Sequence, residues 1–166
     1  MRLAFFSFLF TFISCTNNPH LVSELFEDQN LPIEIIEKSN LIHTENGFIK
    51  LEIIANKIER FIDDSPRLLF SNGFEVIFYD DSSNVISNLK AKNAIVDEIN
   101  NIMIASSSVV LSNKTKKLET EYLVWDEKKD KIYTKNDVII TTEKEKIYAK
   151  GFSSDPNFND YTLNKI

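Results

Sequence analysis

One stretch of the chain resembles itself, and this internal repeat is the feature that most restricts the fold. Residues 89–121 align without a gap on residues 118–150, at an offset of 29 residues. Few of the aligned pairs are identical, but apolar positions meet apolar positions, and Asp97-Glu98 meets Asp126-Glu127. Each copy contains two or three short strand-like runs separated by polar turns, and neither copy could bury its apolar face alone. The repeat therefore predicts stacked strand units that share an all-β core.

Each copy also carries the same break in its alternating pattern. Residues 118–123 match residues 89–94, and residues 53–58 form a third, degenerate copy upstream. In all three segments, the buried-side spacing changes from two residues to three. This slip predicts a β-bulge or a strand break at that point.

The rest of the chain from Asn30 onward has the same character of short strands and polar turns. Asn46-Gly47 is a strong hairpin signal, and Asn72-Gly73 and residues 80–84 indicate further turns. No run has the 3.6-residue period of a long helix, and no linker rich in Pro, Gly or Ser divides the chain. We therefore predict a single domain, residues 30–166, folded as an antiparallel open β-roll or jelly-roll-like sandwich.

The first 29 residues have a different character. Met1-Arg2 is a positive start, residues 3–13 are apolar, and Ser14-Cys15 ends the run. At about 1.5 Å per helical residue, the run is much shorter than a hydrocarbon core of ~30 Å. We predict a lipoprotein signal peptide at residues 1–14, a lipidated Cys15 and a tether at residues 15–29, so that acyl chains attach the protein to a membrane. The alternative for Cys15, the only cysteine, is a buried or incidental thiol.

The composition offers little for catalysis or for binding charged polymers. The net charge is −6, which gives no electrostatic attraction for nucleic acid. The two histidines, His20 and His43, are far apart in the sequence and lack a thiol or carboxylate pattern for metal binding. Asp63-Asp64 and Asp80-Asp81 are typical of turns rather than of calcium loops. We predict no catalytic residue, no metal site, no cofactor and no nucleic-acid partner.

The amount of large apolar side chain leaves two interpretations open. The chain has 13 Phe, 5 Tyr and one Trp, and these fit either an ordinary core or an apolar groove on an incompletely covered sheet face. The candidates for inward-facing groove positions come from the repeat units: Leu89, Ala91, Val109, Leu118, Val138 and Ile140.

The order of these features resembles the LptC family of lipopolysaccharide-export proteins. After the anchored N-terminus, the similar segments are residues 70–80, 89–94, 118–126 and 149–155, followed by Phe158 and Tyr161. The best-known members keep an N-terminal transmembrane helix, whereas this chain resembles a lipoprotein version.

The resemblance implies a non-enzymatic periplasmic component of lipopolysaccharide transport. Such a protein receives the glycolipid in an apolar groove from the inner-membrane ABC transporter LptB-LptF-LptG and passes it to an LptA-like β-bridge. Its expected location is the periplasmic side of the inner membrane, with the outer membrane as the alternative. The other functions that fit are an outer-membrane lipid-binding lipoprotein chaperone and a structural surface lipoprotein.

The same resemblance implies a docking edge near the C-terminus. Residues 146–150 are the last strong strand pattern, and the tail after them is too short to form a covering helix. Under the resemblance, the LptA-like partner adds a strand to this edge at Lys146, Tyr148 and Lys150. Lys146 and Lys150 then also guard the free edge against self-pairing.

Overall fold

The structure, a computed structural model, describes residues 31–62 and 67–165. Ten strands account for most of them: β1 (Glu34–Glu45), β2 (Phe48–Phe61), β3 (Arg67–Tyr79), β4 (Val85–Ala91), β5 (Asn93–Asp97), β6 (Ile102–Ser112), β7 (Lys116–Asp126), β8 (Lys131–Thr142), β9 (Lys146–Ser154) and β10 (Tyr161–Lys165). The other regular element in these ranges is a 3₁₀ turn at Glu127–Lys129. The predicted all-β fold class is confirmed. The predicted signal peptide (residues 1–14), Cys15 and the tether (residues 15–29) lie outside the described residues.

The strands form one antiparallel sheet in the order β1-β2-β3-β4-β6-β7-β8-β9-β10. β5 lies off this path and pairs with β3 and β6. β3 pairs with β4 through its C-terminal half and with β5 through its N-terminal half. β4 and β5 therefore act together as one interrupted strand, and the sheet is a meander whose two edges are β1 and β10.

A line of irregularities crosses the sheet halfway along its strands, and we call this line the crease. The β2–β3 register shifts between Ala55 and Lys57. The β7–β8 register shifts between Thr120 and Val124, and β4 and β5 are separated at Lys92. These are the three places where the sequence pattern slips, so the predicted bulges and strand break are confirmed. Since bulges bend strands and increase their twist, the sheet folds along the crease into two layers.

Asn72-Gly73 lies within β3 at the crease, and does not form the turn between two strands that we expected. Both residues have left-handed φ values, 65° for Asn72 and 99° for Gly73. The Gly73 N–H donates to the carbonyl of Lys92 at 2.9 Å, and Asn56 Nδ2 donates to the carbonyl of Asn72 at 2.6 Å. The dipeptide bends β3 without reversing it because β2 pairs with both halves of the strand.

Side chains from both layers pack as one core. Phe78 in one layer meets the Trp125 ring edge-on in the other, with 5.1 Å between ring centroids. All six positions that we predicted to face inward are buried in this core. Leu89, Leu118 and Ile140 belong to one row of directly paired residues that also includes Leu111. The remaining three are Ala91, Val109 and Val138, which lie nearer the crease.

The 29-residue offset relates equivalent structural positions. Asn101 and Asp130 lie 29 residues apart, and both have left-handed φ values, 57° and 48°. In the first turn, Asp97 accepts a hydrogen bond from the backbone N–H of Asn100 at 2.9 Å. In the second, Asp126 accepts one from the backbone N–H of Lys129 at 3.1 Å. The weak sequence repeat is therefore a repeat of turn chemistry as well as of apolar pattern.

The C-terminal tail forms a strand, which corrects our expectation that residues 146–150 are the last one. β10 pairs with the second half of β9, from Ser154 to Lys150. The covered part of the predicted edge therefore begins at Lys150. Lys146 and Tyr148 have no neighbouring strand on that side among the described residues. The tail returns because its aromatic side chains find partners: Tyr161 packs against Phe152 with 6.0 Å between ring centroids.

The loop of residues 155–160 closes the fold at its β9 end. Phe158 is fully buried and packs edge-on against Phe152, with 5.5 Å between ring centroids. Asn113 Nδ2 donates to the carbonyl of Phe158 at 2.9 Å, and the Ser87 hydroxyl donates to the carbonyl of Pro156. Ser87 lies in β4 and Asn113 directly follows β6, both in the layer that faces the C-terminal end of β9. These contacts of the loop therefore join the two layers.

Candidate functional site

A cleft opens between the two layers at the β1 end of the fold. Its volume is about 330 Å³, which is at the low end of the ~300–1,000 Å³ typical of ligand pockets. Its lining residues are Leu41, His43, Leu51, Ile53, Leu68, Phe70, Val96, Asp97, Glu98, Asn101, Met103, Trp125 and Glu127. The cleft is therefore mainly apolar, with polar groups from turns at its rim.

One wall of the cleft is a row of residues directly paired across four strands. Leu68 of β3 pairs with Val96 of β5, Val96 with Met103 of β6, and Met103 with Trp125 of β7. Such a row points to one face of a sheet, because paired residues in antiparallel strands lie side by side. The row gives the cleft a continuous apolar wall.

The facing wall comes from the first two strands. Leu41 of β1 pairs with Ile53 of β2, and Leu51 lies two residues before Ile53 on the same face. Leu41 remains 40% exposed because β1 is the edge of the sheet and no further strand covers its inner face among the described residues. The two layers thus converge on a packed core in the middle of the sheet and stay apart at β1.

The rim of the cleft is acidic and well ordered by hydrogen bonds. Arg60 Nη2 donates to Glu98 Oε1 at 2.8 Å, and Lys128 Nζ donates to the carbonyl of Ile99 at 3.0 Å. The side chain of Asn100 and the backbone N–H groups of Asn100 and Ile99 donate to Asp97, and these bonds hold the pKa of its carboxyl below the usual range. Asp97 therefore stays ionised at the rim and is not a candidate proton donor near neutral pH.

Trp125 is the unusual residue of the apolar wall. It is 9% exposed, and its indole Nε1 is buried without a hydrogen-bond acceptor among the described residues. Buried polar groups nearly always have a partner, and an unpaired one typically costs about 1–3 kcal/mol. Trp125 therefore contributes one buried donor that has no acceptor among the described residues.

None of the six groove positions predicted from the sequence lines this cleft. Leu89, Ala91, Leu118, Val138 and Ile140 lie farther along the roll, where the layers are in contact. The sixth, Val109, borders a separate depression at the crease beside Thr120. Their role as groove residues stays a prediction. The position of the cleft depends on where the sheet ends, and the repeat pattern carries no information about that. The 29-residue offset does align Val96 with Trp125, which both line the cleft.

Other candidate chemistry is sparse. In residues 31–62 and 67–165, no group of three or more His, Cys, Asp or Glu side chains is placed to hold a metal ion. Asp80 accepts hydrogen bonds from the backbone N–H groups of Ser82 and Asn84, both at 2.8 Å, which makes it a turn residue. His43 lies at the rim with Nε2 3.3 Å from Glu45 Oε1. His20 and Asp63-Asp64 lie outside the described residues. No helix in the described part of the chain is long and apolar enough to span a membrane.

The two sheet edges offer unpaired backbone groups. β1 has 12 residues and, within residues 31–62 and 67–165, pairs on one side only, with β2. At the other edge, β10 leaves the first half of β9 uncovered, where Tyr148 is 61% exposed and Lys146 Nζ lies 5.6 Å from the centre of its ring. Lysine on an edge strand discourages unwanted pairing, yet the backbone groups remain available to a partner strand.

The comparison with known families is specific. The family model described as lipopolysaccharide-assembly, LptC-related, matches residues 4–164. No curated protein matches the chain. The matched region includes the cleft, the crease and nearly all of the two sheet edges.

Proposed function

We propose that the β-roll of this chain carries the acyl chains of lipopolysaccharide between its two layers. The chain belongs to the LptC family and is therefore a component of lipopolysaccharide transport. The family consists of transport components, not enzymes, and is associated with the periplasm and the inner membrane. The observation that carries the proposal is the cleft at the β1 end. Its apolar walls match acyl chains, which gain roughly 0.8 kcal/mol for each methylene removed from water.

The cleft is the entrance of the route that we propose. Beyond it, Leu89, Leu118 and Ile140 are buried in the contact between layers. A lipid reaches these positions only when the layers separate, so their role as groove residues requires movement about the crease. The crease can act as a hinge because its strands pair across register shifts rather than through a continuous ladder.

Photo-crosslinking at neighbouring residues tests the route. Ile53 and Val96 line the cleft, whereas their chain neighbours Ile54 and Ile95 are 42% and 46% exposed and do not line it. A benzoylphenylalanine at Ile53 or Val96 should capture lipopolysaccharide in living cells several-fold more than one at Ile54 or Ile95. Capture at Leu118 should depend on cellular ATP. Equal capture at all these positions would remove the cleft from the proposal.

We also propose a direction of transfer from the two edges. The cleft is open at the β1 end, so the LptB-LptF-LptG transporter delivers the glycolipid there. The LptA-like bridge adds its strand to the opposite edge, at Lys146 and Tyr148, with the boundary at Lys150 where β10 begins to cover β9. Copurification with the permease and ATPase subunits is expected for this function. It is expected neither for an outer-membrane lipid-binding chaperone nor for a structural surface lipoprotein.

The anchor that we propose is an acylated Cys15. It is the only cysteine and follows a short apolar run, and two or more acyl chains are needed for stable attachment. The parent chain should incorporate radioactive palmitate and stay in the membrane fraction. Cys15→Ala should abolish this labelling and release the protein from the membrane fraction. Labelling that survives in the variant would exclude Cys15 as the attachment site.

A further inference from the structure

β1 is a long edge strand that exposes large apolar side chains. Within the described ranges it pairs with β2 alone. Ile35 and Ile42 are 54% and 56% exposed, and Leu41, which lines the cleft, is 40% exposed. Edge strands with exposed apolar side chains tend to pair with another strand, because their free backbone groups and side chains both gain from it. β1 therefore has the character of a strand that meets a partner.

The side chains of β1 change faces at the crease. Ile36 pairs with the buried Ile58, and Leu41 pairs with Ile53 in the wall of the cleft, so Ile36 and Leu41 both point inward. An uninterrupted strand would place two residues that are five positions apart on opposite faces. The change occurs at Lys38, whose φ is 52°. A strand that pairs with the whole of β1 must therefore change faces at the same place.

The β1 strand of a second copy meets this requirement. When two β1 strands pair antiparallel about a twofold axis between Lys38 and Ser39, the two creases coincide, and inward residues meet inward residues. In the facing pairs, apolar residues meet apolar residues and no like charges meet: Ile35 with Ile42, Ile36 with Leu41, Glu34 with His43, and Glu37 with Asn40. Such cross-strand pairs are the units that stabilise a sheet.

The neighbouring registers, displaced by two residues in either direction, are less complementary. A displacement in one direction places Ile35 opposite Asn40, and a displacement in the other places Ile42 opposite Glu37. Each of them leaves an exposed isoleucine against a polar side chain. The sequence of β1 therefore favours a single register.

We propose that two copies of this chain associate through their β1 edges, in this register, as a reversible antiparallel dimer. The sheet continues from one copy into the other, and Ile36 of the second copy extends the wall of the cleft beside Leu41. A contact of one strand is smaller than the ~1,600 Å² interface of a standard complex, so the dimer depends on protein concentration. The inference goes beyond the proposed function and does not rest on it. Since the cleft opens at the same edge, the dimer must separate before a transporter delivers lipid there.

Paired cysteines test the register in the full chain. In Ile35→Cys/Ile42→Cys, the two thiols of one copy lie roughly 20 Å apart along a strand and cannot form a disulfide with each other. After mild oxidation in membranes or in nonionic detergent, non-reducing gels should show several-fold more covalent dimer for this variant than for two controls. The controls are Ile35→Cys/Asn40→Cys and Glu37→Cys/Ile42→Cys, which match the displaced registers. The parent chain, which has Cys15 alone, gives the background.

A charge substitution tests the same contact without a disulfide. Ile42→Lys places a charge opposite Ile35 of the second copy, and should weaken the dimer about tenfold in sedimentation measurements, since the pair occurs twice. Ile54→Lys is the matched control, because Ile54 is also exposed, at 42%, but lies in β2, one strand away from the edge. It should dimerise like the parent chain. Far-ultraviolet circular dichroism checks that both variants are folded.

Three results would overturn the dimer. They are equal cross-linking in all three cysteine variants, cross-linking in none of them, and cross-links that form only with a different protein, which would assign the edge to that protein. Equal dimer strength in Ile42→Lys and the parent would also exclude this contact. None of these results bears on the cleft as a lipid route, which photo-crosslinking at Ile53 and Val96 tests separately.

Discussion

Gly151 shows how a single backbone position holds the last strand. Its φ is +80°, and a Cβ built there would lie 2.5 Å from Nδ2 and 2.9 Å from Cβ of Asn164 in β10. A side chain at this position therefore meets two obstacles, a left-handed backbone conformation and the neighbouring strand. Gly47 in the β1–β2 turn has a nearly equal φ of +83° but nothing within 4 Å of such a Cβ.

This pair of glycines gives a matched prediction. Gly47→Ala should lower the free energy of unfolding by about 1–2 kcal/mol, the cost of a left-handed conformation for an L-residue. Gly151→Ala should lose more, because β10 must also move away from β9. Chemical denaturation measures both losses, and hydrogen exchange of the β10 amides should increase only in Gly151→Ala. Equal losses and unchanged β10 exchange would mean that the contact with Asn164 is easily relieved.

At the scale of residues, the inward positions could be predicted from the sequence and the cleft could not. Leu89, Leu118 and Ile140 follow from period-two alternation combined with the 29-residue offset, since both are local properties. The position of Trp125 in the wall of the cleft depends instead on neighbours that are distant in the sequence, such as Phe78. Whether an apolar residue lines a cleft or a closed core is decided by which strand ends the sheet, and this is a property of the whole fold.

At the scale of elements, the two halves of β9 have different surroundings. β10 covers the half that runs from Lys150 to Ser154, while the half with Lys146 and Tyr148 stays free on that side within the described residues. Adjacent residues of a strand direct their N–H groups to opposite sides. One of Ile147 and Tyr148 therefore donates toward β8, and the other donates outward.

Proline substitutions at these two neighbours should have opposite effects. Since proline has no N–H, one of Ile147→Pro and Tyr148→Pro removes a ladder bond to β8 and should reduce thermal stability substantially. The other removes an outward donor, and should leave a folded protein that pulls down much less of the LptA-like partner. If both proline variants are folded and both bind the partner at full strength, the junction with the partner lies elsewhere.

The elements that the sequence did not predict share a physical cause. β10 has five residues, too few to show a period, and its pairing depends on a loop held by Phe158 and Asn113. Asn72-Gly73 has the composition of a turn, and only its long-range pairing with β2 keeps β3 continuous. In both cases tertiary contacts override the local signal. The crease could be predicted because each strand carries its own pattern slip.

At the scale of the whole fold, the described residues 31–62 and 67–165 form one sheet that supplies both layers of its own core. A sandwich of two separate sheets can slide, but here each strand from β2 to β9 continues, directly or through the β4–β5 break, from one layer into the other. The loop of residues 155–160 ties the two rims together at the β9 end, through Ser87 and Asn113. Separation of the two layers is therefore expected to begin at the β1 end, where the cleft lies.

The repeat makes the length of the roll adjustable in equal steps. A second copy of residues 90–118 inserted after Leu118 preserves the apolar spacing and should add two strands, which lengthens the roll by roughly 9–10 Å. Small-angle X-ray scattering measures this change, and a single cooperative unfolding transition should persist. An insert of residues 90–117, one residue shorter, reverses the side-chain faces and should not fold. Failure of both inserts would show that the units are not interchangeable.

A roll of this kind can therefore gain or lose span through duplication or deletion of one short DNA segment, without a new core or a new turn. The equivalent turns at Asn101 and Asp130 mark where such a step joins its neighbour. A protein that has to bridge a fixed gap between two partners can be fitted to that gap by counting units, while its two terminal edges, and hence its partners, stay the same.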